Sequence, residues 1–522
     1  MFNFLTNIHL DRLSFWLGFV AASLFWWIYS KVREQVPGLR SSIKARIEGD
    51  RKKGTTVLED RLRKIILFKA QGMHLGSPLF SLDEILLPPR LLAPALPIEP
   101  DGSLPEDDYD QLVIPNIPDW PELAAPYCTQ TITLEESINN GVNIAIIGKP
   151  GSGKTVALAH LASQVARRAP QFGDIANRLP ILLHVGDLKI SDTPPYAPFE
   201  AILLAVTQMV PVVIRRKLPR YFRSIFTSGQ VLLMLDGADE LNHADLDKFS
   251  AFVSAFRKEF PLVRIVIAGA DDYLGRFLSQ GFVPLALTSW GYQEKRLFIK
   301  QWNLQWQQLI DPIIQKHNRK QPVDLAILDD WLLNDNEVLS PLELTLKIWA
   351  AYSGDAQGPR TTDAIASHLR RVIPSEKNRP AIERLALSTI LAGKYVFPAL
   401  EASSHFPNVD RAIPDMVDNC ILTSHLGDNV SFYHSVLMGY LAAFAMQEDE
   451  QLTSLIAQAP WSGRTLLLHY LAIHYDMNAI VDELLKQDID DPLFRNLFMI
   501  ARWIPDAPPS EFWRGEVMRQ LL

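Results

Sequence analysis

Residues Gly148 to Thr155 read G-K-P-G-S-G-K-T, and this stretch restricts the chain to a narrow set of folds. It fits G-x-x-x-x-G-K-[ST], the Walker A phosphate loop. The run before it, V-N-I-A-I-I over 142–147, is apolar and β-branched, like a buried parallel strand. The run after it, V-A-L-A over 156–159, continues with helix formers. Strand, glycine loop and helix are the setting the pattern requires. The glycines let the backbone wrap a phosphate with its N–H groups, and the helix N-terminus adds partial positive charge. Candidate binding residues are therefore Gly148, Lys149, Pro150, Gly151, Ser152, Gly153, Lys154, Thr155 and Val156. Lys154 would reach the β- and γ-phosphates, and Thr155 would ligate Mg²⁺.

A second pattern supports the first. The segment Q-V-L-L-M-L-D-G-A-D-E over 230–240 is an apolar strand that ends in acids. Asp236 falls at its C-terminal edge, where open α/β sheets bind ligands. That is the Walker B position, and its carboxylate would complete the Mg²⁺ shell. Asp239 and Glu240 follow, where a carboxylate would orient or deprotonate an attacking water. The competing reading is an acidic turn after an ordinary strand.

The chain has 522 residues, enough for several domains, and its 48% hydrophobic and 21% charged content is that of folded protein. A net charge of −8 argues against bulk-charge binding of nucleic acid. Cys128 and Cys420 alone build neither a disulfide framework nor a zinc site, and the histidines lack H-E-x-x-H spacing.

Leu13 to Tyr29 is uncharged and apolar, with Trp26, Trp27 and Tyr29 clustered at one end. As a helix these residues rise about 26 Å, enough for a slightly thinned bilayer core. Between Lys31 and Lys53 there are eight Lys/Arg against three acids. The positive-inside rule then places the N-terminus outside and the rest in the cytoplasm, anchored to the inner membrane by one span over 13–30. A buried or interfacial helix is the alternative.

Residues 31–75 read as basic, broken helices. The stretch 88–126 holds ten of the 36 prolines and reads as a loose linker or as an extended strap packed on the next domain. Strands and helices then alternate, with strands at 144–147, 179–185, 231–235, 264–268 and 282–287. The apolar segment 201–217 contains Pro211 and reads as a buried helix pair. Beyond Gly291 helices dominate, with one hairpin near 421–432.

At this point the residues resemble the NACHT family of STAND-class P-loop ATPases, over roughly 127–450. The Walker B form D-G-x-D-E matches 236–240, L-P-I at 179–181 is similar to the family's second strand, and P-L-E-L-T-L at 341–346 to its first helical domain. V-S-F-Y-H at 430–434 with Y-L-A-A at 440–443 is similar to the end of its winged helix. The resemblance implies that Pro341 lies against adenine and that His434 contacts the β-phosphate of ADP and holds a closed state. The full layout combines the two readings: hydropathy and composition give a tail at 1–12, the span at 13–30, and juxtamembrane helices and strap at 31–126, and the resemblance implies a P-loop NTPase domain at 127–290. A helical domain at 291–375, a winged helix at 376–450 and helical repeats at 451–522 complete it. Two positions depart from the family. Its T-S-R after the fourth strand, whose arginine senses the γ-phosphate, is here A-G-A-D-D at 268–272, leaving Arg276 as a candidate replacement. Its glutamate before Y-L-A-A is Gly439.

The expected protein is a membrane-anchored ATP/ADP·Mg²⁺ switch with slow ATPase turnover. ATP would make it a homo-oligomer, and a trigger would be sensed at the C-terminal helices. No nucleic-acid partner is expected. The rivals are an AAA+-like remodelling ATPase and a nucleotide-holding scaffold. The absence of N-K-x-D argues against a GTPase.

Overall fold

A computed structural model describes residues 56–92, 131–139, 141–194, 196–269, 275–315, 332, 339–373, 375–406, 409–446, 449–488 and 494–522. The chain divides into two units, 1–62 and 63–522. In the first, the described residues 56–62 are helical. The segment 13–30, read above as a membrane span, lies outside the described residues, as does most of the strap. Among the described residues no helix is long and apolar enough to cross a membrane.

The second unit is built on a seven-stranded sheet. Its strands are β1 (Arg90–Leu92), β2 (Thr131–Thr133), β3 (Asn143–Ile147), β4 (Leu179–His184), β5 (Val231–Asp236), β6 (Arg264–Gly269) and β7 (Phe282–Leu287). The order is β2-β1-β7-β3-β6-β5-β4, and β7, β3, β6, β5 and β4 run parallel. Parallel neighbours need crossovers, and the helices that supply them cover both faces. That explains why β5, V-L-L-M-L-D, is buried from end to end. All five strands expected from the apolar runs are present, within a residue or two of the expected bounds. The start of the strap forms β1, which pairs antiparallel with β7 through Leu91↔Leu287. The helical pair expected over 201–217 breaks at Pro211 into Pro198–Met209 and Val212–Arg215, because proline has no N–H to continue the first helix.

Helix α1 (Lys154–Ala166) follows β3. Residues 63–71 form a helix that packs against it, with Ile66 and Ala70 in the core that holds Leu158 and Leu161. Arg63 fixes that helix by donating to the carbonyls of Val165 (2.7 Å), Asn177 (3.0 Å) and Arg178 (2.9 Å).

Among the described residues the rest is helical apart from connecting turns and a small antiparallel sheet, β8 (Phe397–Pro398), β9 (Leu422–His425) and β10 (Asn429–Phe432), in the order β8-β10-β9. The hairpin expected near 421–432 is β9–β10. Helices α2 (Pro341–Ser353), α3 (Arg379–Leu391), α4 (Ser435–Ala445) and α5 (Ser462–Leu471) contribute to one hydrophobic core that runs from Leu342 through Leu441 to Val517. The C-terminal helices thus share their core with the hairpin region. Gly439 is explained by this packing. A Cβ on it would stand 2.6 Å from Leu466 Cβ and 3.1 Å from the Leu466 carbonyl carbon. Helices α4 and α5 approach too closely there for the side chain the resemblance leads one to expect.

Candidate functional site

The C-terminal ends of β3, β5 and β4 meet in a cleft of about 380 Å³, a size that suits a small organic ligand. The phosphate loop forms one wall, and Gly153 caps α1 at φ +99°, in the left-handed region. Pro150, Gly151, Ser152, Gly153, Lys154, Thr155 and Val156 all line the cleft. Of the other two loop candidates, Gly148 and Lys149 turn their carbonyls to the Lys154 ammonium, at 2.6 and 3.1 Å. The same ammonium sits 3.0 Å from Asp239 Oδ2. The lysine therefore lies folded back on its own loop and on the first of the two downstream acids.

Asp236 is buried, and burial raises its pKa; the Thr155 hydroxyl bonds it and works the other way. The two expected metal ligands are thus neighbours, and a hydroxyl beside a carboxylate is an oxygen donor set suited to Mg²⁺. Ser152 Oγ is buried and without a hydrogen-bond partner among the described residues, on the loop meant for phosphate oxygens. A buried unpaired hydroxyl is costly, so this orphan fits an anionic ligand. The lining also includes apolar side chains, among them Leu87, Trp290 and Phe298. The cleft therefore offers both polar groups for phosphates and apolar surface for a base.

Glu240 is held by His184, at the end of β4 and in register with Asp236. His184 Nδ1 accepts from the Gly186 N–H (3.1 Å), so Nε2 carries the proton toward Glu240 Oε2 at 3.0 Å. Burial pushes Glu240 up to about 7, against the pull of His184. Burial disfavours the charged His184 ring, but Glu240 beside it outweighs that and raises the ring's pKa. The closeness of the ring also explains the glycine of D-G-A-D-E. A Cβ on Gly237 would lie 2.2 Å from His184 Nε2.

The helical region closes the cleft. Ser340 caps α2 by accepting from the Glu343 N–H (3.3 Å) while Glu343 accepts from the Ser340 N–H (2.7 Å). This capping box presents Pro341 to the cleft, and the Leu342 N–H donates to the Gly151 carbonyl at 3.2 Å. His434 caps α4, with Nδ1 accepting from the Val436 N–H at 3.1 Å. Its Nε2–H is then the donor left for a ligand. Burial, then the Lys154 charge, lowers its pKa to about 4. The ring is neutral at pH 7, lines the cleft, and sits close enough to Lys154 for that charge to be felt. A further link joins hairpin and sheet. His425 of β9 reaches Asp187 Oδ1 (3.0 Å) and Ser431 Oγ (2.9 Å) and stacks on His184 with centroids 4.8 Å apart.

Residues 143–267 match the NACHT domain. That span, which carries both the phosphate loop and Asp236, is a P-loop NTPase domain, a kind that binds nucleotide and usually Mg²⁺. No curated protein matches the chain. Among solved structures, Cdc6p from Pyrobaculum aerophilum aligns over 67% of this chain and 98% of its own, at 12% identity and a TM-score of 0.27. Drosophila ORC bound to DNA covers 67% and 96% at 13% identity and 0.26. AMPPCP-bound DnaA from Aquifex aeolicus covers 81% and 99% at 12% identity and 0.26. These are distant likenesses.

Sequence reasoning missed His184, His425 and Lys69, all of which line the cleft. Only His184 left a signal, at the C-terminal edge of a parallel strand where ligands bind. Arg276, the expected replacement for the sensor arginine, is not among the cleft's lining residues. It pairs with Asp247 and lies 3.3 Å from His243 Nδ1.

Proposed function

We propose that the protein is an ATP/ADP-dependent switch whose resting form is the closed arrangement described above. The observation that carries the reading is His434. A half-buried, neutral imidazole with one N–H to give stands in the cleft of Lys154, Thr155 and Asp236, on a helix the NTPase match does not include. An ADP held by the loop would gain a donor from His434 and an apolar wall from Pro341. Mg²⁺ on Thr155 and Asp236 would neutralise phosphate charge. Asp239 on Lys154 and Glu240 on His184 are both engaged, which supports slow turnover with hydrolysis as the reset. The reading keeps 291–375, 376–450 and 451–522 as helical, winged-helix and trigger-sensing segments, with oligomerisation in the ATP-bound form.

The test is the nucleotide retained on purification and the mass of the particle. The resting protein should elute as a monomer carrying ADP, and loading with a non-hydrolysable ATP analogue should give larger particles by mass photometry. A protein that turns ATP over rapidly as a constitutive oligomer would fit an AAA+-like remodeller and remove the switch.

The reading includes the anchor at Leu13–Tyr29 and an inner-membrane location. Full-length protein should stay in the pellet after carbonate extraction, and a variant lacking 1–30 should not. Release of the intact chain by carbonate would reduce the segment to a peripheral helix.

A further inference from the structure

We infer that Lys69, on the helix that precedes the NTPase match, is the cation that recognises the terminal phosphate of a nucleoside triphosphate. The inference rests on the nucleotide reading of the cleft. Lys69 lines that cleft together with Thr155, Asp187 and Asp236. Among the described residues its ammonium has long contacts only: 3.5 Å to the Leu182 carbonyl, 3.9 Å to Asp187 Oδ2 and 4.0 Å to Met209 Sδ. A partly buried ammonium with no short bond among these is poorly satisfied, and a phosphate oxygen would supply one.

Position argues for the third phosphate. Lys154 sits on the loop at the start of α1. Asp236, with Thr155, would hold Mg²⁺ beside the phosphates and help neutralise their charge. Lys69 lines the cleft beside Asp187, and it is near enough to Asp236 for that charge to act on it, while Lys154 is bonded to the loop carbonyls and Asp239. A phosphate chain that starts on the loop and reaches Asp236 would therefore bring its terminal group within reach of Lys69. Its backbone is fixed for this: Arg63 ties the helix to one carbonyl in the last turn of α1 and two just before β4, and Gln71 donates to Ser163 Oγ at 3.1 Å. The four-carbon stem supplies the remaining reach. Arg276 is committed elsewhere, to Asp247 and His243. The function of the missing sensor arginine has thus moved to a helix outside the matched domain.

Calorimetric titration of the full-length chain with Mg·ADP and with Mg·AMPPNP tests this on the wild type and on Lys69→Ala, Lys69→Arg and Lys154→Ala. Lys69→Ala should bind AMPPNP at least about tenfold more weakly, the loss of one charge-assisted contact. Its ADP affinity should stay within about twofold, and Lys69→Arg should recover most of the AMPPNP affinity. Lys154→Ala should lose both ligands. If Lys69→Ala weakens ADP and AMPPNP equally, or neither, Lys69 is a structural counter-charge to Asp187 and the inference fails while the nucleotide reading stands. If the wild type binds neither ligand, the nucleotide reading itself fails and takes the inference with it.

Discussion

Lys154→Ala should bind ATP and ADP at least tenfold more weakly than wild type. In the structure the ammonium is bonded to the Gly148 and Lys149 carbonyls and paired with Asp239. A phosphate would take over from those partners. A charge-assisted hydrogen bond contributes about 1.5–3 kcal/mol, which is one to two decades of affinity. The substitution also strips Asp239 of its cation, and that carboxylate is mostly buried, with 11% of its side chain exposed. An uncompensated buried charge destabilises the fold, so the variant should also melt at lower temperature without ligand. The double variant Lys154→Ala/Asp239→Asn separates the effects: it should regain stability but not affinity. Wild-type affinity in Lys154→Ala would end the phosphate-loop assignment.

What could be read from the sequence follows from how each part is encoded. The five parallel strands are buried on both faces, so each is a continuous apolar run that needs no partner to be recognised. The phosphate loop and Asp236 are local patterns whose geometry follows from a single strand–turn–helix. The placement of Pro341 and His434 came from resemblance, since nothing in a lone proline or histidine says what it faces. The contacts around them are long-range. His184 meets Glu240 only because β4 and β5 are neighbours in register, and His425 meets Asp187 only because the hairpin folds onto the sheet. Lys69 belongs to an amphipathic helix whose charged positions all look alike until the helix is docked. Gly439 read as a departure from a family pattern, and its reason, the 2.6 Å approach to Leu466, belongs to the packing of two helices.

His434→Ala should release ADP faster and oligomerise without a trigger, while still binding ATP. The imidazole is fixed at the start of α4 by its own bond from the Val436 N–H, so it arrives at the cleft preoriented. With Nδ1 used as acceptor and the pKa lowered to about 4, the ring donates through Nε2 and carries no charge at pH 7. One hydrogen bond to a phosphate oxygen contributes about 1.5–3 kcal/mol, enough to shift a two-state population ten- to a hundredfold. Truncation removes that bond and the N-cap together, and the cap alone is worth about 1 kcal/mol of helix stability. His434→Asn keeps a capping oxygen on a shorter side chain that does not reach as the imidazole does. If the latch is what matters, both variants should lose ADP faster, by about tenfold or more in a stopped-flow chase. Only the alanine should also lower the melting temperature. Should His434→Asn keep its ADP and remain monomeric, His434 is a helix cap and nothing more, and the closed state must be held by the Asp187–His425 contact between hairpin and sheet.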